Sequence, residues 1–214
     1  LKLKFYWDCL GAIGAPPTAS IELNSAICAL NFNYSLPMVS FQEISSTCPS
    51  ALSTCQGGTE PGVEEYVYID TVSIANQCAD WLFSFSECCR NPSISNLVSP
   101  SSEDLYVESL LDNTGGTCNS SPVFTSLGVP YLCDGVLTNF NFGAFDVDGD
   151  SLVFSMINSL SSGGVLITYQ SPYTLADPIL TTSGVAFNST NGQMSFTPSG
   201  LQVCIVTVLV KEYR

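Results

Sequence analysis

Asp146-Val147-Asp148-Gly149-Asp150 sets three carboxylates within five residues around one glycine. Carboxylates so crowded repel one another unless a cation or water screens them, and Ca2+ accepts flexible, oxygen-rich coordination. Asp146, Asp148 and Asp150 are therefore the candidate metal ligands, with Ca2+ as the candidate ion. The segment is not an EF-hand loop, because its glycine comes too early, at the fourth position rather than the sixth, and no Glu stands at the twelfth position. The competing assignment is an Asp-Gly turn with solvated carboxylates, opening a strand at Ser151.

Ten cysteines and no histidine shape the remaining chemistry. Without His the chain has no Ser-His-Asp or Cys-His nucleophile and lacks the usual zinc and haem ligand. A glycosidase needs only two suitably spaced carboxylates, and nineteen acidic residues are present. The adjacent pairs Glu64-Glu65 and Glu103-Asp104 lie beside turn residues, however, and read as solvated strand entrances. The chain is expected not to be an enzyme. No CxxC spacing accompanies the cysteines, so disulfides in an oxidising compartment are expected rather than a metal cluster. Cys88-Cys89 ends an alternating segment, where successive side chains point to opposite faces, so the two sulfurs are expected to find different partners. In the second half, Cys133 to Cys204 is the preferred bridge, leaving Cys118 to reach back into the first half.

Five basic residues against nineteen acidic ones give a net charge of −14, a field that repels phosphate backbones. Nucleic acid is excluded as a partner on that ground. No apolar run approaches the length of a membrane-spanning helix, the longest being Val203 to Val210.

The elements that must position these residues are strands. Leu1 to Trp7, Ala19 to Leu23, Met38 to Ile44, Glu65 to Ile74, Trp81 to Cys88 and Leu105 to Leu111 alternate or are β-rich, and turn formers bound each. Trp81, Phe83 and Phe85 share one face, which predicts a sheet core. Asp112 to Pro122 has turn formers and no periodicity, which predicts a domain boundary. Beyond it, Val136 to Phe142, Ser151 to Ile157, Val165 to Tyr169, Gln193 to Thr197 and Val203 to Glu212 are spaced as in a sandwich. The expected architecture is all-β: a disulfide-rich β-sandwich over residues 1–116 and an immunoglobulin/cadherin-like β-sandwich over 117–214. The chain starts inside an alternating segment and reads as part of a longer polypeptide.

Several phrases resemble a family of large secreted Bacteroidota surface proteins, described as gliding-motility-associated or PKD-type and built from tandem β modules. These are Phe5-Tyr6-Trp7-Asp8-Cys9, Pro61 to Tyr68, Ala79 to Asn91 with its Cys-Cys-Arg-Asn, Ser121 to Phe124, Asp146 to Leu152 and Asn191 to Pro198. The resemblance implies a type IX secreted, cell-surface or extracellular protein serving adhesion or filament formation. Its partners would be other copies or neighbouring domains of the same protein, with surface glycans as a further class. The Asp-x-Asp-Gly-Asp phrase is similar to cadherin-like repeats, in which such aspartates hold Ca2+ near module junctions. Bacteria of this group O-glycosylate Asp-Ser/Thr-apolar tripeptides, which singles out Thr71 and Ser151. The rival function is carbohydrate binding through Trp7 and Trp81.

Overall fold

The structure is a computed structural model that describes residues 1–11, 14–45, 51–116 and 118–214. Cys48 lies outside the described residues. The chain divides into two compact units, Leu1–Phe85 with Glu108–Gly116, and Ser86–Val107 with Thr117–Arg214. A single cut at 116 would instead leave residues 86–107 with the first unit. The fold is all-β: among the described residues there are strands and three single-turn 3-10 segments, and no α-helix.

In chain order the strands are β1 (Lys2–Asp8), β2 (Thr18–Ser25), β3 (Leu30–Glu43), β4 (Val63–Ile69), β5 (Trp81–Glu87) and β6 (Leu105–Leu111). They form one sheet in the order β1-β4-β3-β2-β5-β6. The Trp81, Phe83 and Phe85 stripe is buried, with Phe85 opposite Ile21 and Phe83 opposite Leu23. Phe5, Leu36, Tyr66 and Tyr68 complete the apolar interior of this unit. Alternation on β5 thus turns into packing as the sequence requires.

Strand β3 is twice as long as its sequence suggests. Asn31, Asn33 and Pro37 disguise its first half, yet Leu30 to Pro37 pairs with β2 and Met38 to Glu43 pairs with β4. Pro37 sits where β3 changes partner, beside a register shift between Met38 and Ser40, and such irregular positions tolerate a residue with no N–H.

The second unit holds β7 (Val123–Phe124), β8 (Thr138–Asn141), β9 (Ala144–Phe145), β10 (Ser151–Ile157), β11 (Leu160–Ser161), β12 (Val165–Leu166), β13 (Ala186–Phe187), β14 (Gln193–Phe196) and β15 (Thr207–Tyr213). These make antiparallel sheets β13-β14-β8, β10-β15, β11-β12 and β7-β9. Ile94, Leu97 and Ile167 form a buried cluster against which Tyr169 and Ile205 pack. The apolar run from Val203 becomes strand only at Thr207. Residues 203–205 are held instead by Ser95 and Asn96, whose backbone and side-chain groups satisfy the peptide groups of Val203 and Ile205.

Among the described residues, two disulfides brace the first unit. Cys9–Cys55 and Cys28–Cys78 enclose separations of 46 and 50 residues. Three expectations for the other cysteines fail. Cys88 and Cys89 are bonded to each other, because β5 ends at Glu87 and the alternation that would separate them stops there. Cys133 and Cys204 are not joined: Cys133 is an exposed free thiol, whereas the half-buried Cys204 thiol faces Gln202 Oε1 at 3.2 Å. Cys118 is likewise free and exposed.

Candidate functional site

The turn between β9 and β10 builds the main site. Gly149 adopts φ +85°, a conformation that an L side chain resists, and this lets the backbone fold over Asp146. Asp146 Oδ1 then accepts the backbone N–H groups of Asp148 at 2.8 Å and Asp150 at 3.2 Å. The other oxygen, Asp146 Oδ2, is buried with no hydrogen-bond partner. A buried carboxylate oxygen without a partner is costly, and a cation would satisfy it.

Strand β15 brings in a ligand the sequence did not single out. It pairs with β10 so that Glu212 lies opposite Leu152 and Tyr213 opposite Ser151. Glu212 therefore lies diagonal to Asp150, within reach across the ladder. Oxygens of Asp146, Asp150 and Glu212 lie within 4.8 Å of one another. Burial raises the Glu212 carboxyl, and the charges of Asp146 and Asp150 push it up further, while Asn119 opposes them.

Asp148 does not join this trio. Its Oδ2 accepts the Ser120 N–H at 2.7 Å and lies 3.7 Å from Arg214 Nη2. The candidate set of Asp146, Asp148 and Asp150 is thus regrouped, with Glu212 beside Asp146 and Asp150. Spacing within one loop could not reveal Glu212, which arrives through strand register; its only signal was an acidic residue near the end of a β-rich run. Arg214 Nε donates to Asp150 Oδ2 at 2.7 Å and its Nη2 donates to the Cys118 carbonyl at 3.0 Å. One guanidinium therefore screens two of the aspartates from the flank.

The acids fit a hard cation, since carboxylate oxygens from a flexible turn and a strand suit Ca2+ better than a soft metal. They would hold it by Asp146, Asp150 and Glu212. The chemistry supplied is charge neutralisation, which would fasten the β9–β10 turn to β15.

A second convergence has different chemistry: the sulfurs of Cys88 and Cys89 and a carboxylate oxygen of Asp104 also lie within 4.8 Å of one another.

The paired glutamates of the first unit serve the sheet. Glu65 is buried, contrary to a solvated strand entrance, and accepts from Lys4 Nζ at 2.9 Å, Tyr6 Oη at 3.0 Å and Gln42 Nε2 at 3.2 Å. Burial raises its carboxyl, but these donors outweigh that and hold it below the ordinary value. Glu64 accepts from the Tyr66 hydroxyl, which burial and that carboxylate push up to about 12.

Trp81 is fully buried and Trp7 half-buried, so the exposed aromatic surface lies elsewhere. Phe41 is 62% exposed and stacks on Tyr66 at 5.6 Å between ring centres. Thr71, which follows β4, and Ser151, the first residue of β10, are both exposed.

No family model matches the chain, and no curated protein or solved structure shows significant similarity to it.

Proposed function

We propose that the chain is a non-catalytic structural or adhesive module of a secreted bacterial surface protein, contributing to an extracellular filament or matrix. In this reading its two halves are tandem β-sandwiches, the second immunoglobulin/cadherin-like, and its partners are further copies or neighbouring domains of the same protein. Ca2+ ties β15 to the β9–β10 turn, and exposed Thr71 and Ser151 carry glycans.

One observation carries the reading. Cys9–Cys55 and Cys28–Cys78 sit toward the two ends of β3, the fourteen-residue strand at the middle of the large sheet. Loops of this size lose enough unfolded-state entropy on cross-linking to stabilise the fold by roughly 4 kcal/mol per bridge in the chain-entropy picture. Such bracing suits a part that must persist outside the cell, where disulfides form and last.

Peptide mapping of the native protein before and after reduction, joined to electron microscopy over a range of protein and calcium concentrations, tests it. The expected result is intact Cys9–Cys55 and Cys28–Cys78 cross-links and ordered assemblies or retention on cell surfaces. Free thiols at Cys9, Cys28, Cys55 and Cys78, or monodisperse particles that no surface retains, overturn it.

Carbohydrate binding is the second reading, favoured by the open ring of Phe41 on Tyr66, since sugars stack on such rings. Glycan-array binding that Phe41→Ala abolishes supports this reading, and silence on the array rejects it.

A further inference from the structure

Cys88–Cys89 differs from the other two disulfides among the described residues in what it can do for the fold. Cys9–Cys55 and Cys28–Cys78 close loops of 46 and 50 residues, whereas Cys88–Cys89 joins sequence neighbours. A cross-link that closes no loop removes almost no freedom from the unfolded chain, so the usual account of disulfide bracing does not apply to it. Its exposure differs as well. Both Cys88 and Cys89 are exposed, while Cys78 is buried in the first unit and Cys9, Cys28 and Cys55 are half-buried. Exchange requires a thiolate to reach a sulfur, so access favours attack at the exposed pair.

What surrounds the pair is fixed by hydrogen bonds within the second unit. The Arg90 backbone N–H donates to the Glu103 carbonyl at 2.9 Å, which ties the segment after β5 to the segment before β6. Arg90 Nη2 donates to the Leu160 carbonyl at 2.8 Å, and the Asp104 N–H donates to Ser161 Oγ at 3.1 Å. Asp104 is thereby held beside both sulfurs, with one ligand atom from each residue inside a 4.8 Å circle. Arg90 is buried next to this group, but two thiolates and a carboxylate still leave net negative charge for a divalent ion to offset.

We propose that Cys88–Cys89 is the disulfide this chain yields first to a thiol reductant, and that the two freed sulfurs, with Asp104, bind a thiophilic divalent cation such as Zn2+ or Cd2+. An external dithiol supplies the two electrons that break the S–S bond and the two protons that cap the sulfurs, and itself becomes a cyclic disulfide. Binding the cation then displaces those two protons to solvent. Two thiolates and one carboxylate make a three-ligand set with an open position, softer than the all-oxygen set at Asp146. Reduction therefore takes the pair from a closed, metal-free state to an open, metal-holding one, independently of the calcium reading.

The test uses the full chain. Graded exposure to a dithiol, quenching with an alkylating agent and peptide mapping should label Cys88 and Cys89 while Cys9–Cys55 and Cys28–Cys78 remain linked. Earlier labelling of either long-range bridge overturns the order of reduction. Cd2+ is then titrated into the mildly reduced protein after removal of the dithiol, following the ultraviolet thiolate-to-cadmium absorption. One equivalent of signal should appear that the oxidised protein lacks, although Cys118, Cys133 and Cys204 are free in both. It should vanish in the Cys88→Ser/Cys89→Ser double variant, and Asp104→Asn should weaken binding roughly tenfold. Equal signal in the double variant or unchanged affinity in Asp104→Asn overturns the site. Asp104→Asn keeps both sulfurs, so it decides the matter even where the double variant misfolds.

Discussion

Asn96 grips both backbone groups of Ile205: its Oδ1 accepts the Ile205 N–H at 3.0 Å, and its Nδ2 donates to the Ile205 carbonyl at 2.8 Å. The same amide donates to the Pro178 carbonyl at 2.9 Å, and the side chain is fully buried. A side chain here does what a neighbouring strand would otherwise do. It explains how the half-buried Ile205 satisfies its backbone groups without a ladder partner of its own.

Asn96→Ala should therefore be among the costliest single changes in the second unit. It leaves the buried Pro178 carbonyl and the half-buried Ile205 N–H and carbonyl without their partner, at about 1–3 kcal/mol for a fully buried group left unpaired and less for a half-buried one. A urea-unfolding midpoint within a few tenths molar of the wild type would show that water replaces the amide, and that Asn96 is dispensable.

Glu65 gives the fold a pH dependence with a definite sign. Its carboxyl is held below the ordinary 4.5 in the folded chain, so the charged form stabilises. That contribution is complete above the unfolded value and is lost as pH falls through the lower folded value. The wild-type unfolding midpoint should drop on acidification through this range more steeply than that of Glu65→Gln. At neutral pH the variant should cost about 1–2 kcal/mol, because Lys4 is 40% exposed and can turn to water when its partner is lost. Parallel midpoint curves for the two proteins would contradict the assignment.

The long-range bridges predict a division of labour. Replacing Cys28 and Cys78 with serine should lower stability by roughly 4 kcal/mol by the loop-closure estimate, and burying the Ser that replaces Cys78 adds to that. Cys88→Ser/Cys89→Ser should cost far less, since no loop is released. Thermal melts of the two double variants, read side by side, check the ratio. Equal losses would mean that loop closure is not what these bridges contribute.

The strands with regular alternation were legible because burial on one face imposes a period of two. The bounds of Lys2–Asp8, Trp81–Glu87, Leu105–Leu111 and Ser151–Ile157 all match the expected segments within a residue, although Leu105–Leu111 buries only Tyr106. What escaped is what depends on partners remote in sequence. The first half of β3 carries Asn and Pro that local propensity penalises, and pairing with β2 overrides them. Residues 203–205 look like strand but are claimed by Ser95 and Asn96. At the acidic site the loop was visible as a phrase, whereas Glu212 is fixed by the Leu152 register and Asp148 is drawn off by Ser120 and Arg214. Cysteine pairing was the least legible, since it depends on which side chains meet and not on their spacing.

The acidic site makes opposite predictions for the metal-free and calcium-loaded protein, and that opposition is its best test. Without a cation, Glu212 faces burial together with the charges of Asp146 and Asp150, and Asp146 Oδ2 has no partner. Glu212→Gln removes one of the repelling charges, so in chelator the variant should melt a few degrees above the wild type, about 2–4 °C for a saving near 1 kcal/mol. With millimolar Ca2+ the order should reverse, because a bound ion stabilises by mass action only where its ligands are complete. Asp148→Asn is the control. Asp148 engages Ser120 and Arg214 and not the trio, so this variant should keep the calcium-induced rise in melting temperature. A rise retained in Glu212→Gln but lost in Asp148→Asn would return the site to the loop aspartates alone, and no rise in the wild type would leave the cluster a solvated turn.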